Sequence, residues 1–148
     1  DSVASRGLGD VYKRQFLFCS LVFAQTQPKE FTLNIENLKG VDGFLKIDIY
    51  RNVENYTRGI NAYKSFYIRV EDKEKYQLSI KDFPNNYYAI KVFLDTNHNK
   101  VLDKTWIGIR KEPYAFSGNT KPYFREPTFE EAKILIDDSN REITMKLK

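Results

Sequence analysis

The chain has 148 residues and 41% hydrophobic content, which is enough for one domain with a core that needs no disulfide or metal staple. Its 24 basic residues are interspersed with 20 acidic ones, a formal charge of +4 with no Lys/Arg cluster, and this argues against nucleic-acid binding. Aromatics are plentiful, 10 Tyr and 11 Phe against one Trp, a balance that favours strands over helices.

The N-terminal stretch stands apart. Residues 10–15, DVYKRQ, read as the in-frame translation of a transposase-type sequencing adaptor, which would make residues 1–15 a library artefact. The alternative is a native basic leader, since Lys13 and Arg14 sit where a signal peptide carries charge. The apolar run 16–24 is far shorter than the roughly 20 residues that span a bilayer. Val22 and Ala24 occupy the −3 and −1 positions of a signal-peptidase site, so cleavage is expected after Ala24. Phe18 stands before Cys19 where a lipoprotein signal wants a small residue. The expected organisation is therefore 1–24 as artefact plus truncated signal peptide and 25–148 as one secreted or periplasmic domain, with no thiol and no transmembrane segment.

Phe31, Leu33 and Ile35 alternate with polar residues, a half-buried first strand. After turn residues 37–43, with Gly40 and Gly43, Leu45, Ile47 and Ile49 make a second strand, and the short connection suggests an antiparallel hairpin. Residues 51–65 are polar and without period, a loop over the sandwich edge. Phe66, Ile68 and Val70 form a third strand, with Tyr67 and Arg69 outward, and Tyr76, Leu78 and Ile80 a fourth. In the turn 82–86 Pro84 fixes φ, and Asn85 and Asn86 suit a left-handed backbone. Tyr88, Ile90, Val92 and Leu94 face one side of a fifth strand, with Lys91 on the other.

Residues 104–127 lack regular alternation, and such length usually signals function or disorder. Trp106, Ile107, Ile109, Tyr114, Phe116, Tyr123 and Phe124 are too apolar a set for disorder. Thr128 and Glu131 have capping-box spacing, so a helical turn is expected at 128–132. Ala132, Ile134 and Ile136 lead a sixth strand, 137–140 a hairpin turn, and Ile143, Met145 and Leu147 a last strand blunted by Lys146 and Lys148. About seven short strands with period-two patterning predict an all-β, antiparallel sandwich.

The fifth strand runs straight into 95–103, DTNHNKVLD. Asp95, Asn97, Asn99 and Asp103 place oxygen-bearing side chains at alternate positions, with the Val101 carbonyl between, a spacing suited to Ca2+. Lys100 stands where such a loop usually turns on glycine, and Trp106 where it usually has a bidentate glutamate. The other reading is a turn in which Asp95, Asn97 and Asn99 satisfy backbone donors. If metal binds, it is weak and structural. His98, the sole histidine, points outward.

The order of this loop, then residues 107–117, IGIRKEPYAFS, then 127–132, PTFEEA, resembles domain-of-unknown-function family 2141, secreted bacterial domains with a segment like DxNxNGxxDxxxxGIPKEGYGFS. The likeness covers residues 31–147. It implies an immunoglobulin-like or transthyretin-like sandwich outside the cytoplasm, with no established activity and no catalytic residue to carry over. Lys100, Arg110, Pro113 and Ala115 depart from that pattern, replacing a glycine, a proline and two glycines.

One histidine, no thiol after residue 24 and no nucleophile elbow leave little from which to assemble catalysis. Glu112, Glu126, Glu130 and Glu131 lie near the long segment, where surface or capping roles suit them better than a glycosidase pair. The expected function is a non-catalytic, monomeric binding or accessory module for a protein or glycan, with the calcium-type loop as its brace. The alternative is a carbohydrate or small-ligand module that stacks its ligand on Trp106, Tyr114, Phe116 and Tyr123. In that case the rings should be exposed and coplanar; if they instead cover the open end of the sandwich, Trp106 should be buried.

Overall fold

The computed structural model describes residues 29–40, 42–118 and 125–148. The adaptor-like stretch, the 16–24 run and its cleavage site, and Tyr123 lie outside the described residues. Two sheets pack face to face. The three-stranded sheet runs β4 (Lys75–Ile80), β1 (Phe31–Glu36), β8 (Glu142–Lys146). The other runs β3 (Lys64–Val70), β2 (Gly43–Tyr50), β5 (Asn86–Asp95), with β6 (Tyr114–Phe116) and β7 (Ile134–Ile136) sharing the far edge of β5.

The alternation read from the sequence is the alternation of the core. Leu33 and Ile35 from one sheet meet Leu45, Ile47, Ile49, Ile90 and Leu94 from the other, all with no exposed surface. Each such aliphatic side chain contributes about 1.5–3 kcal/mol through burial.

Connectivity departs from expectation in several places. β1 and β2 form no hairpin: β1 pairs antiparallel with β4 and parallel with β8, while β2 lies in the opposite sheet between β3 and β5. The all-β sandwich is as expected, with eight strands among the described residues, but it is not purely antiparallel. Asn37 and Lys39 take positive φ with Gly40, bending the chain across to the second sheet. The turn at 137–140 closes tightly, but it carries the chain from β7 to β8 in the other sheet. At 82–86 it is Asp82, not Asn85 or Asn86, that adopts the left-handed conformation.

Residues 51–65, expected as loop, contain helix α1 (Val53–Arg58). Asn52 caps it by accepting from the Asn55 N–H, and Gly59 ends it at φ 64°. The expected helical turn is α2 (Phe129–Ala132), with both halves of the Thr128/Glu131 capping box formed. Ala132 belongs to this helix rather than to β7. The two helices lie on the outer face of the five-stranded sheet, where Tyr50, Tyr56, Ala89, Phe129 and Ala132 make a second small core. No helix among the described residues is long and apolar enough to cross a membrane.

Candidate functional site

The end of β5 away from these helices builds the corner that the sequence singles out. Asp95 sits at the end of β5 opposite Phe44 and is fully buried. Its Oδ1 accepts from the N–H groups of His98 and Asn99 at 2.7 and 3.2 Å, and its Oδ2 accepts from the Lys100 N–H at 2.8 Å and the Tyr67 hydroxyl at 2.7 Å. Burial raises the Asp95 pKa, but the Tyr67 hydroxyl and the three N–H donors outweigh it and hold the carboxyl below its ordinary value. Burial, and then the bond to Asp95, push the Tyr67 hydroxyl up to about 12, so it stays a donor. Tyr67 in turn stacks on Phe44 with centroids 4.5 Å apart, and exposed His98 meets Phe44 edge-on at 5.0 Å.

The turn is sharp. His98 and Lys100 both take positive φ, 66° and 62°, so Lys100 adopts the conformation that a glycine would take without strain. Asn97 and Asn99 each direct their side-chain N–H groups onto the Asp103 carboxylate. Their side-chain oxygens accept from the backbone of Asn99 and Val101, at 3.1 and 2.9 Å.

In this structure the oxygens of the loop are already engaged by donors. A carboxylate has about four lone-pair directions, and those of Asp95 meet four donors. The Asn amides face Asp103 with nitrogen rather than oxygen. Among the described residues no three His, Cys, Asp or Glu side chains come together as a metal site.

A second carboxylate completes the brace. Glu112 is buried and accepts from the Thr96 N–H at 2.9 Å, the Thr96 hydroxyl at 3.3 Å and the Asp103 N–H at 3.3 Å, so it ties both ends of the loop together. Its sequence position, 16 residues from Thr96, gives no local signal of this role.

From this brace springs a hairpin inside the segment expected to be irregular. Lys104 pairs with Arg110, the Thr105 N–H donates to the Ile109 carbonyl at 2.7 Å, and the Gly108 N–H donates to the Thr105 carbonyl at 2.9 Å. Gly108 lies at φ 84°, which a three-residue hairpin loop with a bulge requires. The tip is Trp106-Ile107, with Trp106 97% exposed and Ile107, Ile109 and Val101 also exposed.

The three described aromatic candidates, Trp106, Tyr114 and Phe116, do not form one platform. Trp106 contacts no other ring and makes no hydrogen bond among the described residues, and it is not folded back over the end of the sandwich. Tyr114 and Phe116 lie on β6 with ring planes 56° apart, and the Arg110 guanidinium covers both at 4.4 and 5.2 Å.

The carboxylates around the long segment are each engaged. Glu126 bridges Lys91 at 2.8 Å and Lys104 at 2.9 Å. Burial raises its pKa, but these two ammonium groups hold it below the ordinary range. Glu131 caps α2 and pairs with Arg125 at 2.6 Å, and that guanidinium first, then the Thr128 N–H, pull it down to about 2. Glu130 pairs with Lys133. A cavity of about 280 Å³ opens between the helices, but Lys91 on its wall is already held by Glu126 and the Tyr56 carbonyl.

The model of a family described as an uncharacterized protein conserved in bacteria, domain of unknown function 2141, matches residues 33–144. The chain belongs to this family. The match runs from β1 through the braced loop and hairpin into β8. No curated protein and no solved structure matches the chain. Of the four residues singled out in the sequence, Lys100 turns the loop, Arg110 covers Tyr114 and Phe116, the Pro113 carbonyl accepts from the Leu94 N–H at 2.9 Å, and Ala115 is buried opposite Val92.

Proposed function

We propose that this member of the family is an exported, non-catalytic binding module whose recognition element is the corner made by the 95–103 loop and the 104–110 hairpin. The observation that carries this reading is Trp106, 97% exposed at the tip of a hairpin whose base is fixed by two buried carboxylates. An exposed indole on a rigid support gains nothing for folding, and large exposed apolar groups of this kind mark interaction sites. Export rests on the apolar run 16–24 and the spacing of Val22 and Ala24.

In this reading the loop works as a hydrogen-bonded brace. Calcium held by Asp95, Asn97, Asn99, Val101 and Asp103 would require both Asn amides to turn over and Asp95 to give up a donor. Thermal unfolding with excess calcium and with chelator separates the two. Equal melting temperatures are expected. A ligand at about 100 times its Kd would add roughly 2.7 kcal/mol, and such a shift, lost in Asp95→Ala, would restore the metal reading.

Co-sedimentation of the chain with bacterial cell-envelope preparations tests the binding role. Retention that falls sharply in Trp106→Ser, with unchanged melting, is expected. Absent retention, or equal retention of the variant, would sink the proposal.

A further inference from the structure

We infer that the surface this corner recognises is the interface of an anionic lipid bilayer, with Trp106 and Ile107 as the inserting tip; the inference rests on the binding role proposed above. Three observations converge on it.

The first is shape. Trp106-Ile107 forms the apex of a narrow hairpin rather than a flat patch or groove, with Ile109 exposed on the returning strand and Val101 exposed beside its base. The base of the hairpin is paired, Gly108 N–H to Thr105 O, Thr105 N–H to Ile109 O, and Ile109 N–H to the Thr105 hydroxyl at 3.1 Å, which leaves the apex N–H groups of Trp106 and Ile107 for headgroups and water. Internal pairing at the base lowers the penalty of bringing such a tip to the depth of the bilayer interface.

The second is the indole itself. It is an apolar ring with one N–H that has no partner among the described residues. A membrane interface suits such a group, with its ring toward acyl chains and its N–H toward headgroups and water.

The third is charge. Lys100, Lys104, Arg110 and Lys111 flank the apolar tip within twelve residues of sequence, whereas Asp103 faces the amides of Asn97 and Asn99 and Glu112 is buried on the N–H groups of Thr96 and Asp103. Glu126 answers Lys104, and Arg110 lies over Tyr114 and Phe116 and donates to the Arg125 carbonyl at 2.8 Å, but the exposed Lys100 and Lys111 have no ion pair among the described residues. Apolar apex and cationic collar together match acyl chains beneath anionic headgroups.

The single tryptophan of the chain is its own reporter. The full chain is titrated with phosphatidylglycerol-containing vesicles and with vesicles of phosphatidylcholine alone, following Trp106 emission and its quenching by acrylamide. Expected on the anionic vesicles are a blue shift and shielding from quencher that weaken as salt is raised. Trp106→Ser should lower vesicle co-sedimentation roughly tenfold or more. Lys111→Glu should lower it several-fold, as expected where each cation near such a surface counts. Trp106 that stays as quenchable as in buffer, or Trp106→Ser sedimenting as well as wild type, overturns the inference. Retention on cell envelopes without binding to lipid vesicles would also overturn it while leaving the binding role intact, since the partner would then be a protein or glycan.

Discussion

The outer face of the five-stranded sheet is finished differently at its two ends. Near the start of β5, α1 and α2 sort residues in the usual way: Tyr56 and Phe129 go inside against Tyr50 and Ala89, and charged groups such as Glu54 and Arg58 stay in water. At the end of β5 the sorting is inverted. Asp95 and Glu112 are buried, while Val101, Trp106, Ile107 and Ile109 are exposed. The first end is held by apolar burial, the second by hydrogen bonds to charge. A region that is stabilised without its large apolar side chains is free to present them to something else.

Substitutions can break the comparison end by end. The largest expected effect is at the helical end: Phe129→Ala should cost about 3–5 kcal/mol in denaturant unfolding by emptying the small core. At the corner, Asp95→Ala strands three backbone N–H groups and the Tyr67 hydroxyl at once, for a loss of about 3 kcal/mol at neutral pH. A loss under about 0.5 kcal/mol would mean that the loop is not held by this carboxylate.

Acid sharpens the same point. The folded Asp95 and Glu126 carboxyls lie below their ordinary values, and Glu131 lies at about 2. A depressed folded pKa means that the unfolded chain binds protons first. Their contribution is therefore complete above the unfolded value near 4 and is lost as pH falls through the folded values. Stability should hold from neutral pH to about 5 and then decline between about 4 and 2. The decline should be shallower in Asp95→Asn; an identical slope would remove Asp95 from the account.

Glu112→Gln keeps one acceptor but turns an amide N–H toward the backbone donors of Thr96 or Asp103, an expected loss of about 1–3 kcal/mol. Smallest of all is Trp106→Ser, which should change stability by less than about 0.5 kcal/mol because the indole is almost wholly in water. A larger loss would mean that the indole packs in solution, and the two ends would then be alike.

The amino-acid order by itself determined which faces are apolar. The alternation in Phe31, Leu33, Ile35 and in Tyr88, Ile90, Val92, Leu94 is local, has the period of a strand, and reads the same before and after folding. The Thr128/Glu131 box is equally local, whereas α1, bounded by Asn52 and Gly59, lies in a segment whose polarity suggests loop. The corner was legible as a tight loop built on Asp95, because Asx chemistry acts over a few residues, but the same spacing reads equally as a calcium loop or as a hydrogen-bonded turn.

Partnership was left to the tertiary structure. A two-residue period records that a face is buried but not against what, so the separation of β1 from β2 and the parallel pairing of β1 with β8 carry no local mark. The burial of Glu112 depends on N–H groups 16 and 9 residues away, and the exposure of Trp106 depends on the hairpin that these bonds support. Local alternation decided which side chains leave water together. Long-range hydrogen bonding decided that a carboxylate would be among those buried and a tryptophan among those left outside.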